Sequence, residues 1–66
     1  MKITVNGQTK ELSTATNLKE VIAQFCQDSR RVITELNGDI VQSTQWQDTL
    51  IKEGDTIELV SLVGGG

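Results

Sequence analysis

One stretch of this 66-residue chain carries a sustained helical period. Leu18, Val21, Ile22, Phe25 and Cys26 fall at i, i+3, i+4, i+7 and i+8, which aligns them as one stripe of an amphipathic helix. Lys19, Glu20, Ala23, Gln24 and Gln27 fill the other positions. Asn17 is placed to cap the N-terminus, with Glu20 at capping-box spacing, and the helix is expected to end near Asp28. A lone stripe must be buried, and with no second amphipathic helix available the covering layer has to be a sheet.

The rest of the chain supplies that sheet. Met1, Ile3 and Val5 alternate with Lys2 and Thr4 as a period-2 strand. Asn6-Gly7 then offers the two positive-φ residues of a type I′ hairpin, and Gln8 to Leu12 returns. Ser13 to Thr16 reads as a loop before the helix. After it, Arg31 to Leu36 is β-rich, Asn37-Gly38 is a second hairpin signal, and Ile40-Val41 is a short return strand. Residues 42–49 are polar apart from Trp46 and read as a loop or one helical turn. Leu50-Ile51 is expected to rejoin the core. Lys52 to Asp55 reads as a turn, and Thr56 to Val63 as the last strand. The order is ββαββ plus a final strand. Placing that strand beside the first closes a mixed sheet with one helix packed on one face, an α+β, β-grasp (ubiquitin-like) arrangement. Residues 1–66 read as a single domain with a flexible tail at 64–66.

Composition narrows the function classes. There is one cysteine and no histidine, so an internal disulfide and a Cys/His metal cage are both excluded. The lone thiol suits a reducing compartment. No apolar run approaches the ~18 residues of a membrane span, and the turn at Asn6-Gly7 leaves no room for a signal-peptide apolar region. The expected location is the cytoplasm, with no membrane partner. A net charge of −3 with scattered Lys and Arg argues against nucleic acid and favours a protein partner with a basic surface.

The residues that suggest chemistry are the last three, Gly64, Gly65 and Gly66. At ordinary glycine usage a chain ends in three glycines about once in 3,000. A flexible tail or cloning scar would give the same residues. These glycines, however, directly follow the β-forming run Ile57 to Val63. A carboxylate is a poor electrophile that ATP can activate as an acyl-adenylate. Glycine leaves the terminal carbonyl open and takes whatever φ and ψ a narrow channel imposes. Sulfide transfer to such an adenylate yields a thiocarboxylate, a nucleophilic store of sulfur.

Asn37-Gly38-Asp39-Ile40-Val41, Trp46, Gly54-Asp55-Thr56-Ile57-Glu58-Leu59-Val60 and Val63-Gly64-Gly65-Gly66 together resemble the ThiS family of thiamine-biosynthesis sulfur carriers, over essentially the whole chain. At Gln42-Ser43-Thr44-Gln45 the chain departs from the Pro-Arg-Ser-like stretch of many relatives. The resemblance implies a carrier, not an enzyme, with no cofactor of its own. A ThiF-like adenylating enzyme would use ATP to activate the Gly66 carboxylate. A donor such as a cysteine desulfurase would supply sulfur, and a ThiG-like thiazole synthase would consume it. The free carrier is expected to be a monomer. Alternatives are a carrier like the small subunit of molybdopterin synthase, a ubiquitin-like modifier that joins its terminus to lysines, and a non-covalent module resembling the TGS domain.

Other residues suggest weaker sites. Cys26 lies on the helix stripe and reads as core rather than as a sulfur relay. Trp46 reads as a cap on the core, and Glu53 and Asp55 as a solvated turn rather than a cation site. Alternation along the last strand sends Ile57 and Leu59 toward the helix and Val60 and Leu62 away from it. Ile33 joins them if Val32 and Leu36 point inward. An apolar patch on the uncovered face is the expected docking surface for the adenylating enzyme.

Overall fold

The computed structural model describes residues 1–26 and 29–61. Strand β1 (Lys2–Val5) turns at Asn6-Gly7 into β2 (Gln8–Glu11), and helix α1 (Leu18–Phe25) follows. A 3₁₀ turn at Ser29–Arg31 leads into β3 (Val32–Leu36), which turns at Asn37-Gly38 into the two-residue β4 (Asp39–Ile40). A longer 3₁₀ segment, Ser43–Asp48, precedes β5 (Thr56–Ser61).

The five strands form one sheet in the order β2-β1-β5-β3-β4. β5 is central, parallel to β1 and antiparallel to β3. This is the mixed, β-grasp sheet that the sequence order implies. Both hairpins adopt the expected left-handed turns, with φ of 50° and 80° at Asn6 and Gly7 and of 52° and 90° at Asn37 and Gly38. Asparagine and glycine occupy that region at the least steric cost.

Helix α1 starts where expected, and the Asn17 side-chain carbonyl accepts the Glu20 N–H at 2.9 Å. Leu18, Val21 and Ile22 are fully buried against the sheet, each worth about 1.5–3 kcal/mol in transfer free energy. The end of the helix differs from expectation. Cys26 has left helical geometry at φ −135° and ψ 131°, while its N–H still bonds the Ile22 carbonyl. The apolar stripe runs on through Cys26 because an extended residue can pack on the core as well as a helical one. Gln27 and Asp28 lie outside the described residues.

Ile3, Val5, Leu12, Trp46, Ile51 and Ile57 complete the core with the helix residues. The expected inward turn of Leu50 is wrong: Ile51 is buried but Leu50 is 70% exposed. The Leu18 N–H bonds the Thr49 carbonyl and the Ile51 N–H bonds the Thr16 carbonyl. That extended pairing alternates side chains, so only one of two adjacent residues can face inward. Trp46 caps the core as expected, with its indole N–H donating to the Val41 carbonyl at 3.0 Å.

Candidate functional site

The glycines proposed as the reactive end, Gly64, Gly65 and Gly66, lie outside the described residues, as does Leu62. What the structure describes is the strand that leads to them. Ile57 anchors β5 in the core with no exposed surface. β3 holds β5 along five register pairs, from Leu36–Ile57 to Val32–Ser61. β1 pairs with β5 only at Thr4–Thr56 and Val5–Ile57. Beyond that point the Asn6 side chain takes over, accepting the Leu59 N–H at 2.7 Å and donating to the Leu59 carbonyl at 3.3 Å. Asn37 does the same at the start of the strand. It accepts the Thr56 N–H at 2.9 Å and donates to the Asp55 carboxylate at 3.0 Å. The strand that delivers the tail is thus held from both sides.

On the face of the sheet away from α1, Ile33 and Val60 of the expected apolar patch are exposed. Thr34 is buried and Val32 and Leu36 are half-buried, so their neighbour Ile33 points outward. Ile33 and Val60 are register partners, 39% and 51% exposed. Ile40, which the sequence reading placed only in a short strand, is 65% exposed. Its partner across β3–β4 is Glu35, and Glu35 in turn faces Glu58 across β3–β5. Ile33 and Ile40 also line a surface groove of about 560 Å³ that reaches Trp46.

The remaining candidates resolve into structural roles. Cys26 is a half-buried free thiol packed against the core. Glu53 and Asp55 do more than face solvent. The two Glu53 carboxylate oxygens each lie 3.1 Å from the Lys2 N–H. Asp55 accepts the Lys52 N–H at 2.8 Å and so closes its turn. Among the described residues no three His, Cys, Asp or Glu side chains gather as metal ligands. No described helix is long and apolar enough to cross a membrane. The sequence reading missed the Asn6 and Asn37 clamps. Each Asn-Gly pair signalled a turn, and nothing local to it signals a contact 53 residues away for Asn6 or 18 and 19 residues away for Asn37.

Taken together, the central parallel strand, the single covering helix and the two hairpins define a β-grasp domain of the ubiquitin-like kind. Comparison with known proteins narrows the class. The ThiS family model matches residues 3–66. A crystal structure of the thiamine biosynthesis protein ThiS from Geobacter metallireducens superposes with a TM-score of 0.86 at 30% identity, and all of both chains is covered. The sulfur carrier protein ThiS of Escherichia coli is 27% identical over the full length of both chains. A thiazole synthase of Paramagnetospirillum magneticum is 30% identical over all of this chain, which spans 20% of that relative's length. The chain belongs to the ThiS family, a family of small sulfur carriers rather than of enzymes.

Proposed function

We propose that this chain carries sulfur for thiazole formation as a thiocarboxylate on Gly66. The observation that carries the reading is the extent of the family match, which runs over residues 3–66 and takes in all three glycines. In the reaction, a Gly66 carboxylate oxygen attacks the α-phosphorus of ATP and releases pyrophosphate. Sulfide then attacks the acyl carbon and displaces AMP to leave the thiocarboxylate; where the donor is a cysteine desulfurase, its persulfide displaces AMP to give an acyl disulfide, which a second thiol cleaves to the thiocarboxylate and a disulfide. The adenylating enzyme supplies the nucleotide site. The chain supplies the nucleophilic oxygen of the first step and the electrophilic carbon of the second, with no β-carbon to obstruct either.

The thiocarboxylate is then consumed by a thiazole synthase. The thiazole synthase that is similar to all of this chain, over 20% of its own length, supports that link. Val60 and Ile33, exposed register partners on the open face of the sheet, dock the adenylating enzyme, and Leu62, outside the described residues, is assigned to the same contact. The free carrier acts as a cytoplasmic monomer.

Intact mass spectrometry of the protein from cells making thiamine tests the proposal. A mass gain equal to exchange of one oxygen for sulfur, localised to Gly66, is expected. A lysine-linked adduct at Gly66 would replace this reading with that of a protein modifier, and a chain that never gains sulfur would remove it.

A further inference from the structure

The β3–β5 ladder sets two carboxylates face to face. Glu35 and Glu58 are register partners on the open side of the sheet. Directly opposed like charges destabilise a sheet, since their β-carbons are only about 5 Å apart. Neither glutamate forms an ion pair with a described residue. Lys2 is exposed on β1, but the Thr4–Thr56 register puts it four residues back from Glu58, about 13 Å along the strands. That exceeds the distance over which exposed charges act effectively at physiological salt.

The repelling pair is bordered by the exposed apolar side chains. Ile40 continues the row beyond Glu35, and the Ile33–Val60 pair forms the next row. The face therefore combines a dry patch with two opposed carboxylates that no described residue pairs. A second copy of this chain is a poor occupant, because self-association through this face would crowd four carboxylates into it. The complementary occupant is cationic and partly apolar. Arginine meets both needs. Its planar fork offers five N–H donors, enough for two carboxylates, and its weakly hydrated face packs on aliphatic surface.

We propose that the open face docks onto a protein surface that inserts an arginine guanidinium between Glu35 and Glu58 while apolar side chains cover Ile33, Ile40 and Val60. This rests on the carrier reading, which makes the adenylating enzyme that protein. Retaining a repulsive pair costs the free carrier stability, and docking relieves that cost. The same arrangement steers a basic partner toward an acidic carrier.

The test is a calorimetric titration of the adenylating enzyme with the unsubstituted carrier, the double variant Glu35→Gln/Glu58→Gln, and Val60→Glu, each at several salt concentrations. The double variant should bind at least tenfold more weakly at low salt, with a flatter salt dependence. Its own Tm should rise by about 1–5 °C as the repulsion is relieved. Affinity and stability moving in opposite directions is a signature that a purely structural pair would not give. Unchanged affinity and salt slope in the double variant would overturn the guanidinium contact. If Val60→Glu still weakened binding in that case, the docking face itself would stand; if it did not, the docking face would fall too. An unsubstituted carrier that failed to bind the adenylating enzyme would remove the carrier reading and this inference with it.

Discussion

The side-chain amide of Asn6 grips the backbone of Leu59 at both its groups, accepting the N–H at 2.7 Å and donating to the carbonyl at 3.3 Å. A turn residue at φ 50° thereby extends the parallel β1–β5 pairing after β1 itself has ended. The consequence is a central strand that stays registered close to the segment proposed to carry sulfur.

Replacing Asn6 with glycine keeps the left-handed turn and removes only the clamp. Each hydrogen bond contributes about 0.5–1.5 kcal/mol net, so Asn6→Gly should cost about 1–2 kcal/mol in a urea titration. An unchanged midpoint would mean that the clamp contributes nothing to stability.

Thr34 is 1% exposed and its hydroxyl finds no partner among the described residues. A buried unsatisfied hydroxyl costs about 1–3 kcal/mol, and removing it with little change of shape is neutral or stabilising. Thr34→Val should raise stability by about 1 kcal/mol, or roughly 4–8 °C in Tm for a domain of this size. A fall in Tm would show that the hydroxyl is satisfied in solution.

Trp46 is 6% exposed and its indole N–H is bonded to the Val41 carbonyl. Trp46→Phe should cost about 1–2 kcal/mol through the lost bond and contact. Trp46→Ala should cost about 3–5 kcal/mol. A chain of this length has about 3–10 kcal/mol in total, so the alanine variant should melt far below the parent or be unfolded outright by circular dichroism. A cooperative melt close to that of the parent would contradict the role of Trp46 in the core.

Cys26→Ala should leave sulfur loading intact and cost about 1 kcal/mol, because the thiol packs on the core edge and the proposed chemistry lies at Gly66. The readout is thiocarboxylate formation by mass spectrometry. A folded variant that accepts no sulfur would bring Cys26 into the transfer path.

Amidation of the Gly66 carboxylate, or Gly66→Val, should abolish carrier-dependent ATP–pyrophosphate exchange by the adenylating enzyme. Amidation removes the attacking oxygen, and valine puts a branched side chain beside the reacting carbon. Normal exchange with the amidated, folded protein would exclude adenylation at this carboxylate.

The features legible in the sequence are those whose cause lies within a few residues. The stripe of Leu18, Val21 and Ile22 specified a helix and its buried face. Asn17 specified where that helix starts, and the two Asn-Gly pairs specified left-handed turns. Alternation along residues 57–60 separated Ile57 and Leu59 from Glu58 and Val60. The same logic left Ile33 conditional, because a period of two has two phases and the residues alone did not choose between them.

Tertiary structure decided the rest, because the remaining choices depend on partners distant in the chain. Closing the core over Thr34 set the phase of β3 and turned Ile33 outward. Pairing of residues 49–51 with 16–18 sent Ile51 inward and Leu50 outward. Only the β3–β5 register places Glu35 opposite Glu58. Only the position of β5 beside β1 brings Leu59 within reach of the Asn6 side chain. Periodicity is a property of one segment, whereas register and clamping are properties of two, and the second segment takes its place only once the whole sheet has closed.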